Sequence, residues 1–126
     1  MGGDLVSKVL IIEDEPEQIK LMSMRLKANG YEVISAESAG EGLRVAGEEN
    51  PDVILLDILL PDMNGLEVAE SLKSSVATKD IPIIAITAVG TPDIEEQCKE
   101  SGISDFLRKP YESQDLIDKI KNQLEA

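Results

Sequence analysis

The sequence predicts an α/β domain built on a doubly wound, five-stranded parallel sheet, and three observations carry that prediction. Five short apolar runs recur at 8–12 (KVLII), 31–35 (YEVIS), 52–57 (DVILLD), 81–87 (IPIIAIT) and 105–109 (DFLRK). Their starts are 23, 21, 29 and 24 residues apart, and each run leads into a helical stretch. Such alternation is the pattern of βαβ units. The middle runs are apolar without clean alternation, as expected of strands covered on both faces. Finally, carboxylates, a hydroxyl and an amine gather at the carboxyl ends of the runs, the edge where open parallel sheets bind ligands. A strand order of 2-1-3-4-5 places the reversal of winding between the first and third strands.

The helices carry their own start and stop signals. The first follows Asp14, has Pro16 in its first turn and stops at Asn29-Gly30. Its stripe is Ile19, Met22 and Leu26, while Leu21 and Met24 project elsewhere. The second begins near Ser38 and ends before Asn50-Pro51, and the third starts around Asn64 with Leu66, Ala69 and Leu72 as its buried stripe. The fourth runs from Thr91-Pro92 to Ser101-Gly102. The fifth starts at Ser113 and lines up Leu116, Ile117, Ile120 and Leu124. A polar loop, SSVATKD (74–80), precedes the fourth strand.

At 126 residues, 42% of them hydrophobic, the chain suits one domain spanning 1–126. No apolar run approaches the roughly 20 residues of a membrane span, and the opening MGGDLVSKVLII lacks the form of a secretion signal. A cytoplasmic location is the expectation. Twelve basic against 25 acidic residues, a net charge of −13, exclude a nucleic-acid surface and disfavour an anionic membrane. The single cysteine rules out an intrachain disulfide. The absence of histidine rules out Ser-His-Asp and Cys-His triads, an ordinary zinc centre and a histidine phosphocarrier. A bound metal should be a hard ion on oxygen ligands.

The strand ends supply those ligands. The first strand ends in Glu13-Asp14-Glu15, the third in Asp57, the fourth in Thr87 and the fifth in Lys109-Pro110, whereas the second ends in Ser35-Ala36. Carboxylates brought together at the reversal repel by roughly 4 kcal/mol at 4 Å and an effective dielectric of 20, so the cluster calls for a cation. Magnesium suits one or two carboxylates completed by water and phosphate. A carboxylate nucleophile, a divalent metal, a lysine and a hydroxyl describe phosphoryl transfer through an aspartyl-phosphate. Asp57 lies within the apolar VILLDILL, yet is expected near the surface where its strand emerges.

Four segments, LIIEDEP (10–16), DVILLDILLPDMNG (52–65), IIAITA (83–88) and DFLRKPY (105–111), in this order and spacing, resemble a bacterial response-regulator receiver domain of two-component signalling. The likeness spans residues 8–124 and is to the stand-alone, chemotaxis-regulator-like kind, with a flavodoxin-like (βα)5 fold. It implies that Asp57 accepts a phosphoryl group from a histidine kinase or histidine phosphotransfer protein. Magnesium, or manganese in its place, would be held by Asp14, Asp57 and the backbone carbonyl of Leu59, with Glu13 acting through water. Lys109, ahead of a cis Lys109–Pro110 bond, would contact the phosphoryl oxygens. Thr87 would move to hydrogen-bond the phosphoryl group and Phe106 would swing inward behind it. The signal would be read by a downstream protein on the face of the fourth helix, fifth strand and fifth helix. Two residues depart from the commonest pattern: Glu13 replaces a frequent aspartate and Phe106 a frequent tyrosine.

Other features read more plainly. GEGLRV (40–45) begins like a dinucleotide fingerprint but has Val45 where Gly or Ala belongs, inside an expected helix. Cys98 reads as a small core residue and Glu15 as first-turn helix chemistry. The family docks its kinase through the first helix, which makes Leu21 a candidate contact. Two other functions compete. An aspartyl-phosphate hydrolase of the haloacid-dehalogenase type would need an aspartate where Leu59 stands, and a phosphorylation-independent scaffold would typically lack one of the site residues. The expectation is therefore a phosphoacceptor that catalyses only its own phosphorylation and dephosphorylation. It would act as a monomer or a phosphorylation-dependent dimer, alone or as part of a longer regulator.

Overall fold

The computed structural model describes residues 6–88 and 91–125; the opening MGGD read for targeting signals lies outside them. Five strands, β1 (Lys8–Ile12), β2 (Glu32–Ala36), β3 (Val53–Asp57), β4 (Ile83–Thr87) and β5 (Asp105–Arg108), alternate with α1 (Pro16–Ala28), α2 (Ala39–Glu49), α3 (Gly65–Lys73), α4 (Pro92–Glu100) and α5 (Ser113–Glu125). All strand pairs are parallel, in the order β2-β1-β3-β4-β5, as the sequence predicts.

Where strand ends differ from the expected runs, turn chemistry is the cause. Tyr31 donates its N–H to Leu26 O (3.1 Å), closing the end of α1 instead of starting β2. Ile81 bonds back to Thr78 O (3.1 Å), and Pro82 has no N–H to give the ladder, so β4 begins at Ile83. The Asp52 carboxylate accepts the Lys8 N–H (2.7 Å) at the foot of the sheet.

The pleat sends alternate side chains to opposite layers. Val9, Ile11, Val53, Leu55, Ile84, Ile86 and Leu107 pack with Met22 and Leu26 of α1 and Leu116, Ile117 and Ile120 of α5. Leu10, Ile12, Ile54, Leu56, Ile83 and Ala85 pack under α2, α3 and α4 with Ala46, Val68, Ala69, Leu72 and Cys98. The central strands β3 and β4 are therefore apolar up to their last residues, Asp57 and Thr87, as their sequences suggest. Cys98 is buried, in keeping with its reading as core. Three stripe residues are less covered than expected: Ile19, Leu66 and Leu124 are only partly buried. In α3 the buried set is Gly65, Val68, Ala69 and Leu72, a helical i, i+3, i+4, i+7 stripe that turns Leu66 toward the rim. Among the described residues, no helix is long and apolar enough to cross a membrane.

Two glycines mark close approaches. A Cβ on Gly42 would meet Ile12 Cδ1 at 2.7 Å where α2 lies on β1. A Cβ on Gly65 would lie 2.5 Å from Ile58 Cα and 2.9 Å from Asp57 O, both of them backbone atoms that cannot rotate away. The Gly65→Ala variant should therefore lose roughly 1–3 kcal/mol, the range for overpacking a closed site. A lower urea midpoint at unchanged m-value is the expected result, and an unaltered midpoint would show that the 58–64 loop yields freely.

Candidate functional site

The site follows from strand register. In β1 and β3 the pairs Ile11–Leu55 and Ile12–Leu56 are level, so the next residues, Glu13 and Asp57, leave the sheet side by side. Parity puts both on the α1/α5 side, continuing Val9-Ile11 and Val53-Leu55. Lys109 continues the same side of β5 beyond Leu107, and its N–H bonds Thr87 O (2.8 Å), holding the turn against β4. The Lys109–Pro110 peptide is cis, as the resemblance implies.

These three side chains meet. The Lys109 ammonium lies 3.0 Å from Glu13 Oε1 and 3.3 Å from Asp57 Oδ2. Glu13 is 2% exposed and Asp57 7%, so the expectation that Asp57 sits near the surface is corrected. Its oxygens are occupied by protein groups: Lys109 on Oδ2 and the Leu59 N–H on Oδ1 at 2.9 Å. The direct Lys109–Glu13 pair is a contact the sequence does not disclose. Glu13 also accepts the Glu15 N–H on Oε2 (3.2 Å), which fixes the entry into α1.

Glu13, Asp14 and Asp57 each offer a carboxylate oxygen within 4.8 Å of the others. At that separation each pair repels by roughly 3–4 kcal/mol at an effective dielectric of 20, and one lysine cannot balance three acids. The donor set is all oxygen and partly open through Asp14, which suits a hard divalent ion such as magnesium. Burial draws the Lys109 amine's pKa down. Its hydrogen bonds to Glu13 and Asp57 and their charges outweigh that, leaving it above the usual lysine value. Lys109 is thus a firm cation at neutral pH.

Thr87 ends β4 fully buried, and Phe106 is half-buried in β5. Ala85 pairs with Phe106, so parity places Thr87 and Phe106 together on the side of α4, across the sheet from Glu13, Asp57 and Lys109. A pocket of about 60 Å³ adjoins Phe106, lined by Glu95, Cys98, Lys99 and Ile103 among others. Burial is the main reason the Cys98 thiol's pKa is raised, with the Glu95 charge adding to it.

The loop 58–64 between β3 and α3 carries Leu59 past the site. The Gly65 N–H bonds Ile58 O (2.8 Å), and Asn64 Oδ1 caps α3 by accepting the Leu66 N–H (2.8 Å). Asp62, given no role in the sequence reading, accepts the Ala39 N–H on Oδ1 (2.9 Å) and the Gly40 N–H on Oδ2 (3.1 Å). These two bonds hold its carboxyl below the usual range. Nothing local announces that role, because the donors lie more than twenty residues earlier in the chain. Gly65, also given no role in the sequence reading, does carry a local signal, as the Gly of an Asn-Gly step at a helix start.

A family model described as the response regulator receiver domain matches residues 9–121. The polar-differentiation response regulator DivK of Brucella ovis is 38% identical over 120 residues, covering 95% of this chain and 98% of that protein. Protein PilH of Pseudomonas aeruginosa is 31% identical over 115 residues, covering 91% and 95%. A CheY-like response regulator receiver domain protein from Methanospirillum hungatei has a crystal structure similar to this fold. The TM-score is 0.90 at 30% identity, with 96% of this chain and 95% of that one covered. The order of strands, the acidic pocket at their carboxyl edge and these likenesses lead to one conclusion: this chain belongs to the response regulator receiver domain family.

Proposed function

We propose that this chain is a magnesium-dependent phosphoacceptor in which Asp57 takes a phosphoryl group from a phosphohistidine on a histidine kinase or phosphotransfer protein. The observation that carries the reading is the Lys109 ammonium shared between Glu13 and Asp57 beside Asp14. An Asp57 oxygen attacks phosphorus in line, a P–O bond forms as the P–N bond breaks, and the imidazole leaves. Lys109 meets the negative charge of the incoming phosphoryl oxygens from the position it already holds against Asp57. Asp14, Asp57 and the Leu59 carbonyl would hold magnesium, with Glu13 acting through water, and the bound ion would supply further positive charge to those oxygens. The chain acts on itself, as a signalling switch.

Thr87 and Phe106 would carry the signal. The Thr87 hydroxyl moves toward the phosphoryl group from the α4 side, and Phe106 follows into the space behind it, changing the surface offered to a downstream protein. The donor would dock on α1, where Leu21 and Met24 are 46% and 61% exposed. An open groove lined by Gln18, Leu21, Arg25, Lys109 and Tyr111 leads from there toward the site.

Three measurements test this reading. Labelling of Asp57→Asn by acetyl phosphate should fall to background; labelling at the parent rate would remove Asp57 from its role. Phe106 is the chain's sole phenylalanine, so 4-fluorophenylalanine gives one ¹⁹F resonance. That resonance should shift on phosphorylation of the parent and stay in place in a phosphorylated Thr87→Ala variant. A shift of equal size in the variant would uncouple Thr87 from the switch. Leu21→Ala should slow phosphotransfer from the cognate kinase by about fivefold to tenfold, the effect of truncating an interface anchor, with acetyl phosphate labelling unchanged. An unaltered rate with the kinase would move docking elsewhere.

A further inference from the structure

We infer that Asp62 is a positioning residue for the metal and phosphoryl site: its carboxylate ties the 58–64 loop to the N-terminus of α2 and so fixes the Leu59 backbone beside Asp57. The inference rests on the magnesium-dependent phosphoacceptor reading and deepens it.

The clamp spans two separate parts of the chain. Asp62 Oδ1 and Oδ2 take the N–H groups of Ala39 and Gly40, the first two residues of α2. The third N–H of the helix, on Glu41, goes to Ser38 Oγ at 3.2 Å. A local cap and a distant one therefore share the helix start, and only the distant one reaches the site loop. Within that loop Leu60 and Met63 pack against the core under α2 and α3, while Leu59 and Asn64 form a bridge across its base. The Leu59 N–H meets Asp57 Oδ1, so a shift in the loop is felt directly at the phosphoacceptor.

An aspartate that merely capped α2 would matter to stability alone. A residue that holds Leu59 should matter to metal binding beyond its effect on stability. The two are separated with the full chain by titrating magnesium chloride into ¹⁵N-labelled protein and following the amide signals of Asp57, Leu59 and Lys109. Thermal midpoints are recorded alongside. In Asp62→Ala the magnesium dissociation constant should rise by about tenfold, the lower end of the effect of removing an outer support from a metal site. Asp62→Asn, which keeps one acceptor oxygen, should fall between parent and alanine variant. Ser38→Ala removes the other α2 cap without touching the loop and should lower the midpoint while leaving the dissociation constant as it is. If Asp62→Ala binds magnesium like the parent, or Ser38→Ala weakens binding as much, this inference is overturned and the phosphoacceptor reading stands. A parent chain that shows no magnesium-dependent shifts overturns that reading and the inference with it.

Discussion

One ammonium group holds the working edge of this protein together. Lys109 sits between Glu13 and Asp57, two carboxylates that are almost wholly withdrawn from water. Removing such a partner leaves uncompensated buried charge, which costs far more than the pair itself contributes. The geometry it demands is considerable. β5 is separated from β3 by β4, and neighbouring strands are about 4.8 Å apart, so the lysine must reach roughly 10 Å across the sheet edge. The long, flexible lysine stem makes that reach possible. Among the described residues, no buried side-chain polar atom lacks a partner.

The two faces of the sheet carry different side chains at its carboxyl edge. Charge gathers on the α1/α5 side through Glu13, Asp57 and Lys109, whereas Thr87 and Phe106 belong by parity to the side of α4. These two sets of side chains come together at the rim, where β3 and β4 lie side by side and Asp57 pairs with Ile86. Each layer is packed with fully buried Leu, Ile and Val, so the strands themselves are poor candidates for movement. The loop above β3 is anchored at two points: Gly65 lets α3 start against the Asp57 backbone, and Asp62 fastens the same loop to α2.

Much of this architecture is legible in the sequence. Hydrophobic runs at regular intervals and Pro and Gly at helix boundaries marked five strands and five helices, and the polar residues at run ends include the cluster of Glu13, Asp14, Asp57 and Lys109. Boundary shifts at Tyr31, Ile81 and Pro82 arise from turn hydrogen bonds that apolar periodicity does not report. Leu66 is less covered than its stripe partners for a related reason: apolar character recurs at two offsets in α3, and contact with the sheet favours one of them.

By itself the sequence determined the fold class, the strand order consistent with a carboxylate pocket, and which acids, lysine and hydroxyl stand at the sheet's edge, because period and position along the chain encode those directly. Only the tertiary structure decided that Asp57 is buried, that Lys109 divides itself between Glu13 and Asp57, and that Asp62 caps a helix more than twenty residues away. Those facts depend on strand register and side-chain reach across elements distant in sequence, and neither exists until the sheet has closed.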